Sequence, residues 1–595
     1  MIKSIISMKR HLLCAVVAAM VFSVLPMGAQ IRGFRQEQLK EWEFSKDGST
    51  WQTVQVPHSY NAEDGHSPYY YRGKATYRCD LRITDIKKAH YLFFEGAAQA
   101  AVVKVNGEQV AIHKGGYTPF SVNITEALTK GVNRLEVICD NTEDVQMAPV
   151  TSDFNKNGGL HNPVWLLVME DVYLTPEDYG MYRIRCEIPE VTKKKVVTNV
   201  RTKIVNSGNR DANILVRVQL LESNGQLAYQ ADREIPVGAF SEYDFDHEFL
   251  LSGVHLWDGV KDPYLYTLRV ELFKGKRMMD IAETKIGYRS IEMDPERGFL
   301  LNGRPYRLRG VAMHQDADGK ASALTQADYR RDYRIVKELG ANFLRLAHYP
   351  HNDFAFQLCD SLGIIVQTEV PWVNVCGENA PQSYFNNIHH QMKEMVNNLY
   401  NHPSIAFWGM WNELDTWGNN SDLQGAFDAE RVARETKRLY EYTKSLDPDR
   451  YVGFTDCSRL ARDGYPYLKG DFCSQNIYYG WYWTPNDFSG LTTSLKKVRE
   501  LRPDCPINLS EYGVGINPFC HVWNQADAVR DKEDDSRHYE EYGNRFHESY
   551  VRQIKAMSWL NFTSVWVLFD FPVANRQEGY MDSEDGVKFV RNNDR

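Results

Sequence analysis

The sequence predicts a multidomain chain of β plus α/β class: an N-terminal β-sandwich, a second sandwich of immunoglobulin type, and a C-terminal TIM (β/α)8 barrel. Three observations carry this. A chain of 595 residues is too long for one hydrophobic core. Up to about residue 292 the apolar residues alternate in short runs broken by turn residues, as in antiparallel strands with one face buried. After Gly287-Tyr-Arg289 apolar runs alternate with amphipathic helical stretches, as in a parallel sheet covered by helices. The boundaries read as 1–29, 30–176, 177–292 and 293–595.

Residues 1–29 place Lys3, Lys9 and Arg10 ahead of the apolar run Leu12 to Leu25 and then Pro26-Met-Gly-Ala29, which reads as a secretory signal peptide. The run is too short and too interrupted to span a bilayer. The expectation is an exported protein, periplasmic or secreted, with no membrane insertion once the signal is removed. Of the ten cysteines, Cys14 lies in this segment and the other nine run from Cys79 to Cys520 without a Cys-x-x-Cys pair. That is no disulfide framework, and most are expected as small buried hydrophobes. A formal charge of −9 argues against a nucleic-acid partner, while 12% aromatic residues suit a protein that stacks rings on sugars.

The first sandwich is read from Ala75 to Leu81, Tyr91 to Gly96, Ala101 to Gly107 and Arg134 to Cys139, with Val105-Asn-Gly107 as a hairpin turn. The second is read from Val197 to Val205, Ile214 to Leu221 and Tyr264 to Leu272; nothing in it groups titratable side chains with an aromatic platform. Eight barrel strands are expected: Leu308 to Met313, Phe343 to Ala347, Ile364 to Thr368, Ile405 to Trp411, Tyr451 to Phe454, Phe472 to Asn476, Ile507 to Ser510 and Val565 to Phe569. Helices are expected at Gln326 to Leu339, Ser383 to Tyr400, Leu423 to Ser445, Ser494 to Leu501 and Ser536 to Leu560.

In such a barrel chemistry belongs at the C-terminal strand ends. Ile405 to Trp411 is an apolar run that ends in Asn412-Glu413, and Ile507-Asn-Leu-Ser510 ends in Glu511-Tyr-Gly513. Trp408 and Trp411 are expected to desolvate Glu413 and raise its pKa, the profile of a general acid. Acetal hydrolysis needs a second carboxyl, and Glu511 supplies it. Either Glu alone reads better as a strand-end partner of an Arg than as a catalyst; the pair at two strand ends favours catalysis. Other strand ends carry His314-Gln-Asp316, Arg345 with His348, Glu369 with Trp372, Asn476 with Tyr478 and Trp481, and Trp566 with Asp570, a set of polar edges and rings that a pyranose requires.

Trp411-Asn412-Glu413 followed about a hundred residues later by Ser510-Glu511-Tyr512-Gly513 resembles glycoside hydrolase family 2, the β-galactosidases, β-glucuronidases and β-mannosidases. The resemblance runs from about Trp42 to the C-terminus. It implies a retaining, exo-acting β-glycosidase with Glu413 as acid/base and Glu511 as nucleophile, and it makes the first domain a sugar-binding-like jelly roll. Carried over residue by residue, it assigns Arg345 as the buried charge partner, His348 as a sugar contact, Asn412 as the grip on the 2-hydroxyl, Tyr478 as the phenol on the nucleophile and Trp566 as the floor of the sugar site. Asp153, shortly before Gly158-Gly159, matches an aspartate that reaches over to the sugar, and reads equally as an Asx-turn in the loop Thr151 to Asn157. Glu369 is expected to support the site indirectly.

No cofactor or metal is called for. Magnesium near the acid/base is compatible with the family, but His314 and Glu369 do not stand in a ligand spacing. The partner expected is a β-glycoside, oligo- or polysaccharide; homo-oligomerisation is left open. The sequence runs only some twenty-five residues past the expected eighth strand, so a barrel lacking its last helix is expected. An Asn-x-Lys that would read a glucuronide carboxylate is not seen there, only Gly586-Val-Lys588, which favours a neutral sugar, galactose first. The reading from another class is an inactive, truncated carbohydrate-binding protein.

Overall fold

The computed structural model describes residues 35–573 apart from 65–69, 193, 415–423, 458, 461–467, 518 and 532–537, together with 580–582 and 588–590. The signal-peptide reading of residues 1–29 lies outside the described residues, as do Gly586 and Val587.

The N-terminal domain is a sandwich of two antiparallel sheets. One has the order Arg35–Gln38, Val164–Val168, His90–Phe94, Phe120–Asn123; the other runs Gln52–Gln55, Glu41–Ser45, Lys74–Ile83, Gly131–Asp140, Ala100–Val105, Glu108–Lys114. Alternation along these strands turns Trp42, Phe44, Tyr77, Leu92, Val103 and Leu135 into the space between the sheets. The hairpin at Val105 is made by Asn106 and Gly107 at φ 53° and 87°, the two positive values that a tight two-residue turn demands.

The second sandwich sets Val172–Leu174, Val196–Asn206, Arg185–Val191 and Ser241–Leu251 against Leu227–Val237, Ala212–Leu221, Tyr266–Lys274 and Arg277–Ile286. Ile214, Val216, Val218 and Leu220 alternate into its core. Its one fully buried ion pair among the described residues of this domain, Arg183 to Asp280 at 2.6 Å, is completed by the Ile281 carbonyl, so the charge is not left unsatisfied.

The C-terminal domain is a closed barrel of eight parallel strands: β1 Leu308–Met313, β2 Phe343–Leu346, β3 Ile365–Glu369, β4 Ile405–Asn412, β5 Tyr451–Asp456, β6 Phe472–Asn476, β7 Ile507–Glu511 and β8 Phe562–Val565, with β8 paired back to β1. The eighth strand begins three residues before the expected Val565. Phe562 joins Phe343, Phe407 and Phe472 in an aromatic plug at the N-terminal end, and that burial sets the register. The described helices of the barrel are α1 Gln326–Glu338, α2 Asp353–Leu362, α3 Gln382–Leu399, α4 Ala429–Leu446, α5 Gly490–Leu501 and α6 Glu540–Lys555. Helix α2 was not expected from the sequence. Its caps are nonetheless legible: Asn352 accepts from the Phe354 N–H, and Gly363 closes the helix at φ 75°. After β8 the described residues form a short antiparallel pair, Tyr580–Asp582 with Lys588–Val590. Cys139, Cys186, Cys359, Cys376 and Cys473 are free thiols and buried, as small hydrophobes are. Among the described residues no helix is long and apolar enough to cross a membrane.

Helix α3 and the loop after it dock both sandwiches. Asn387 and Gln391 bond the backbone of Lys114 and Ala148 in the first domain, while Asn401 bonds the backbone of Ile184 and Cys186 in the second. Tyr182 of the second sandwich donates to Asp353, which together with Asp360 grips His402. These contacts hold the first sandwich over the C-terminal end of the barrel, where Tyr117 stacks on Tyr349 at 3.9 Å.

Candidate active site

The mouth is built from strand ends. Arg345 is the inward residue of β2, two positions beyond Phe343 of the aromatic plug, so one strand alternation serves a packed base and a polar top. Glu369 ends β3, Asn412 ends β4, Asn476 ends β6 and Glu511 ends β7. Glu413 follows Asn412 at φ 48°, its N–H bonded to the Thr455 carbonyl. A residue with a Cβ is strained there by about 1 kcal/mol or more, and such strain is typical of functional positions.

Arg345 organises the site. Its guanidinium meets Glu511 Oε1 at 2.5 Å, Glu369 at 2.9 and 3.2 Å, and Asn412 Oδ1 at 2.8 Å, and all four residues are buried. Tyr478 Oη donates to the other oxygen of Glu511 at 2.6 Å. Asn476 Nδ2 donates to Glu413 Oε1 at 2.6 Å and to Asn412 Oδ1 at 3.2 Å, and Ser510 Oγ fixes the Asn476 amide by bonding its oxygen. The structure therefore brings Glu413 and Glu511 onto one hydrogen-bonded network through Asn476, Asn412 and Arg345. With the Asn412 oxygen taken by Arg345 and Asn476, its NH2 is the end that can donate to a ligand.

Glu369 is the counter-ion that keeps this arrangement charged. Burial pushes its pKa up, but Arg345 and His348 outweigh burial and hold it down at about 2. Burial disfavours the Arg345 charge, yet Glu369 and Glu511 raise its pKa above the ordinary value. His348 Nδ1 lies 2.7 Å from Glu369 and its Nε2 3.8 Å from Glu511, so the ring spans the two carboxylates. Gly409 makes room for this: a Cβ there would sit 2.5 Å from that of Glu369.

Trp566 closes one wall, stacked on His348 at 5.0 Å and edge-on to His314 at 5.4 Å. Its buried indole N–H has no partner among the described residues, a donor that a ligand could satisfy. Gly513 explains the glycine after Glu511-Tyr: a Cβ there would fall 2.1 Å from the Trp566 carbonyl. From the first sandwich the loop Thr151 to Asn157 reaches the same mouth. Phe154 lies 5.1 Å from His314 and 5.9 Å from His348, and Asn157 bonds Asp316 and Ser322. Asp153 is half-buried beside Phe154.

One sequence expectation is corrected. Trp408 and Trp411 do not line the Glu413 side; their indole N–H groups donate outward to Asp447 and to Thr436 of α4, and Trp411 stacks on Phe454. The strand is buried on both faces, so apolar residues near Glu413 in sequence belong to the layer between barrel and helices. Asn476, expected from the sequence only as one of the polar strand ends, proves to hold Glu413. Phe154 is not legible as a site residue, because its place depends on how two domains dock. Glu369 and His314 do not offer a magnesium site. Both Glu369 oxygens are bonded by Arg345, with His348 and Gln367 as further partners, and His314 lies against Tyr349.

Comparison with known proteins agrees with this three-domain architecture. Residues 293–592 match the model of the glycosyl hydrolases family 2 TIM barrel domain, 183–289 match glycosyl hydrolases family 2, and 42–163 match the glycosyl hydrolase 2 galactose-binding domain-like model. A β-glucuronidase of Bacteroides fragilis is 30% identical, covering 88% of this chain and 74% of the relative. A putative β-glucuronidase of Formosa agariphila (29%) and a β-galactosidase of Thermoanaerobacterium thermosulfurigenes (28%) are matched over 52% and 64% of their own lengths, so the chain spans between half and three quarters of these relatives. Among solved structures, a putative β-galactosidase from Bacteroides fragilis superposes with TM-score 0.85 at 28% identity, covering 94% of this chain and 82% of that one. A Bacteroides uniformis β-glucuronidase covalently bound to cyclophellitol-6-carboxylate aziridine gives 0.84 at 28%, covering 94% and 67%. Three consecutive family models and a barrel whose mouth joins two glutamates through an arginine place this chain in glycoside hydrolase family 2.

Proposed function

We propose that this protein is an exo-acting β-glycosidase working with retention by double displacement, with Glu511 as nucleophile and Glu413 as acid/base. The observation that carries the assignment is the setting of Glu511, which takes a guanidinium on one oxygen and a phenol on the other, while Glu413 accepts from Asn476 on the same network. Donors on both oxygens hold Glu511 in place as the attacking carboxylate, which leaves the proton transfers to Glu413. In the first step a Glu511 oxygen bonds the anomeric carbon as the bond to the aglycone oxygen breaks, and the Glu413 proton goes to that oxygen. In the second, Glu413 takes a proton from water, whose oxygen bonds the anomeric carbon as Glu511 leaves. Asn412 would hold the 2-hydroxyl, His348 and Trp566 would contact the sugar, and Asp153 would reach one of its hydroxyls from the first sandwich. The covalent adduct in the Bacteroides uniformis neighbour supports a covalent route.

For the sugar we propose a neutral pyranoside, galactose first. Arg345 already answers two carboxylates in the network, so a third carboxylate from a glucuronide would enter against the local charge. The second reading, β-glucuronidase, is favoured by the names of two of the relatives. A panel of nitrophenyl β-galactoside, glucuronide, mannoside and glucoside tests both: the galactoside is expected to give the highest kcat/KM. A larger value for the glucuronide reverses the choice of sugar, and no turnover of any member by folded protein leaves a carbohydrate-binding protein. Export to the periplasm or medium, proposed from the composition of residues 1–29, is tested by fractionating cells that express the whole chain.

A further inference from the structure

Away from the barrel mouth, the two docked domains bring together a second group of side chains. His113 lies on the strand Glu108–Lys114 of the first sandwich, while His390 and Glu394 stand one turn apart on α3. His113 Nε2 and His390 Nε2 each lie 3.0 Å from the same oxygen, Oε1 of Glu394. One donor atom from each of the three residues falls within 4.8 Å of the other two, and this is the one such His, Cys, Asp or Glu group among the described residues. Thr118 Oγ1 donates to the other Glu394 oxygen at 2.6 Å, and stacking on Phe120 at 3.9 Å holds the His113 ring. His113 is 6% exposed, Glu394 14% and His390 55%, so the group is closed on the protein side and open to solvent on one.

We infer that His113, His390 and Glu394 form a zinc-class metal site that clasps the first sandwich to helix α3. Two imidazole nitrogens and a carboxylate oxygen are a zinc donor set, with the solvent side left for a water as fourth ligand. Ligand atoms on a tetrahedral zinc stand about 3.4 Å apart, given bonds of about 2.0 to 2.1 Å. The two 3.0 Å contacts need to open slightly around the ion and the two imidazole nitrogens, which lie within 4.8 Å of each other, to settle at the same spacing, an adjustment the solvent-facing His390 can make. The Thr118 hydroxyl supplies the second hydrogen bond that orients a ligating carboxylate. His113 Nδ1 has no partner among the described residues, so the usual outer bond on a ligating imidazole is missing and the ring is oriented by Phe120 instead. That weakens the site by about tenfold or more relative to one with the outer bond in place. The reading without a metal is a shared His–Glu–His hydrogen bond, and the two differ in what they bind.

The test uses the whole chain, stripped with a chelator, dialysed and titrated with zinc chloride by calorimetry. One equivalent per chain is expected, together with a rise in Tm on zinc addition and a visible ligand-field band on loading with cobalt(II). Glu394→Ala would remove the hub of an interdomain contact and could act through folding, so the deciding variant is His390→Gln at the exposed ligand. It should fold in chelator with at most a small drop in Tm, because His390 is the exposed partner of Glu394, bind zinc at least about tenfold more weakly, and lose the zinc-induced rise. His113→Gln should do the same from the opposite domain. Absence of stoichiometric binding by the parent, or equal zinc affinity in parent and His390→Gln, overturns the inference. None of these readouts depends on glycoside turnover.

Discussion

The two ends of the barrel are made by the same strands and do opposite work. At the base Phe343, Ile365, Phe407, Phe472 and Phe562 pack into a dry plug. A few residues further on stand Arg345 within β2 and Glu369, Asn412, Asn476 and Glu511 at the ends of β3, β4, β6 and β7, as buried as the base but polar. Burial is therefore not what separates the two ends. The base satisfies burial by removing apolar surface from water; the top satisfies it by giving buried charges and amides a partner. Substitutions at the base should act on stability, and substitutions at the top on turnover.

The sharpest break of this contrast comes from the two glutamates. Glu511→Ala should lower turnover on the order of 10⁴-fold or more, with no glycosyl-enzyme formed. Glu413→Ala should lose about 10² to 10⁴-fold, least with a nitrophenyl leaving group, and azide should rescue it with a β-glycosyl azide as product. An α-azide from Glu413→Ala would show the roles reversed. A structure with the two carboxyls about 6.5 to 9.5 Å apart would replace the covalent route with an inverting one.

Next in size is a matched pair. Phe407→Ala at the base should cost about 3 to 5 kcal/mol of stability in denaturant melts while kcat of the remaining folded protein is kept. Tyr478→Phe at the top removes one charge-assisted hydrogen bond to Glu511 and should lower kcat/KM by about tenfold or more, with Tm changed little. Equal effects of both variants on stability would erase the distinction between the two ends.

Acid should also separate them. Glu369 has its pKa held near 2 in the fold against an ordinary 4.5, so it contributes stability that is fully present above about pH 4.5 and lost as pH falls through about 2. Glu394 at the domain interface follows the same sign, because His113 and His390 outweigh its burial and hold it near 2. Stability should therefore fall steeply below pH 4.5. Phe407→Leu should lower that curve at every pH without changing its shape, whereas Glu369→Gln should flatten its acid limb. The smallest effect expected is that of Asp153→Asn: a lost hydrogen bond to a sugar hydroxyl should reduce kcat/KM by about tenfold with Tm unchanged. Kinetics like the parent's would leave the pocket to the barrel alone.

Much of this protein can be read without coordinates. The change from alternating to helix-spaced apolar runs after Arg289 marks where sandwiches end and the barrel begins, because the two periods follow from backbone geometry. Glu413 and Glu511 are legible as polar residues ending buried strands, since a barrel exposes chemistry only where its strands stop. The start of β8 at Phe562 was not legible. Both Phe562 to Val565 and Val565 to Phe569 are apolar enough to be strands, and the choice rests on whether Phe562 fills the plug left by Phe343 and Phe407.

The order of the three domains, and the two carboxyls that stand at the ends of β4 and β7, are thus readable from short windows, because local periodicity and strand ends are properties of such windows. Tertiary structure decided the rest. Trp408 and Trp411 stand three residues apart and would alternate to opposite faces of a regular strand, yet both donate toward Asp447 and α4, because β4 shifts its register between Gly409 and Asn412. Arg345 could have answered either glutamate, and only the closed barrel brings it to Glu369 and Glu511 together. Phe154 and the His113, His390 and Glu394 group bring residues far apart in sequence into one place. Such contacts depend on how separately folded domains pack, and no pattern within a short window encodes that.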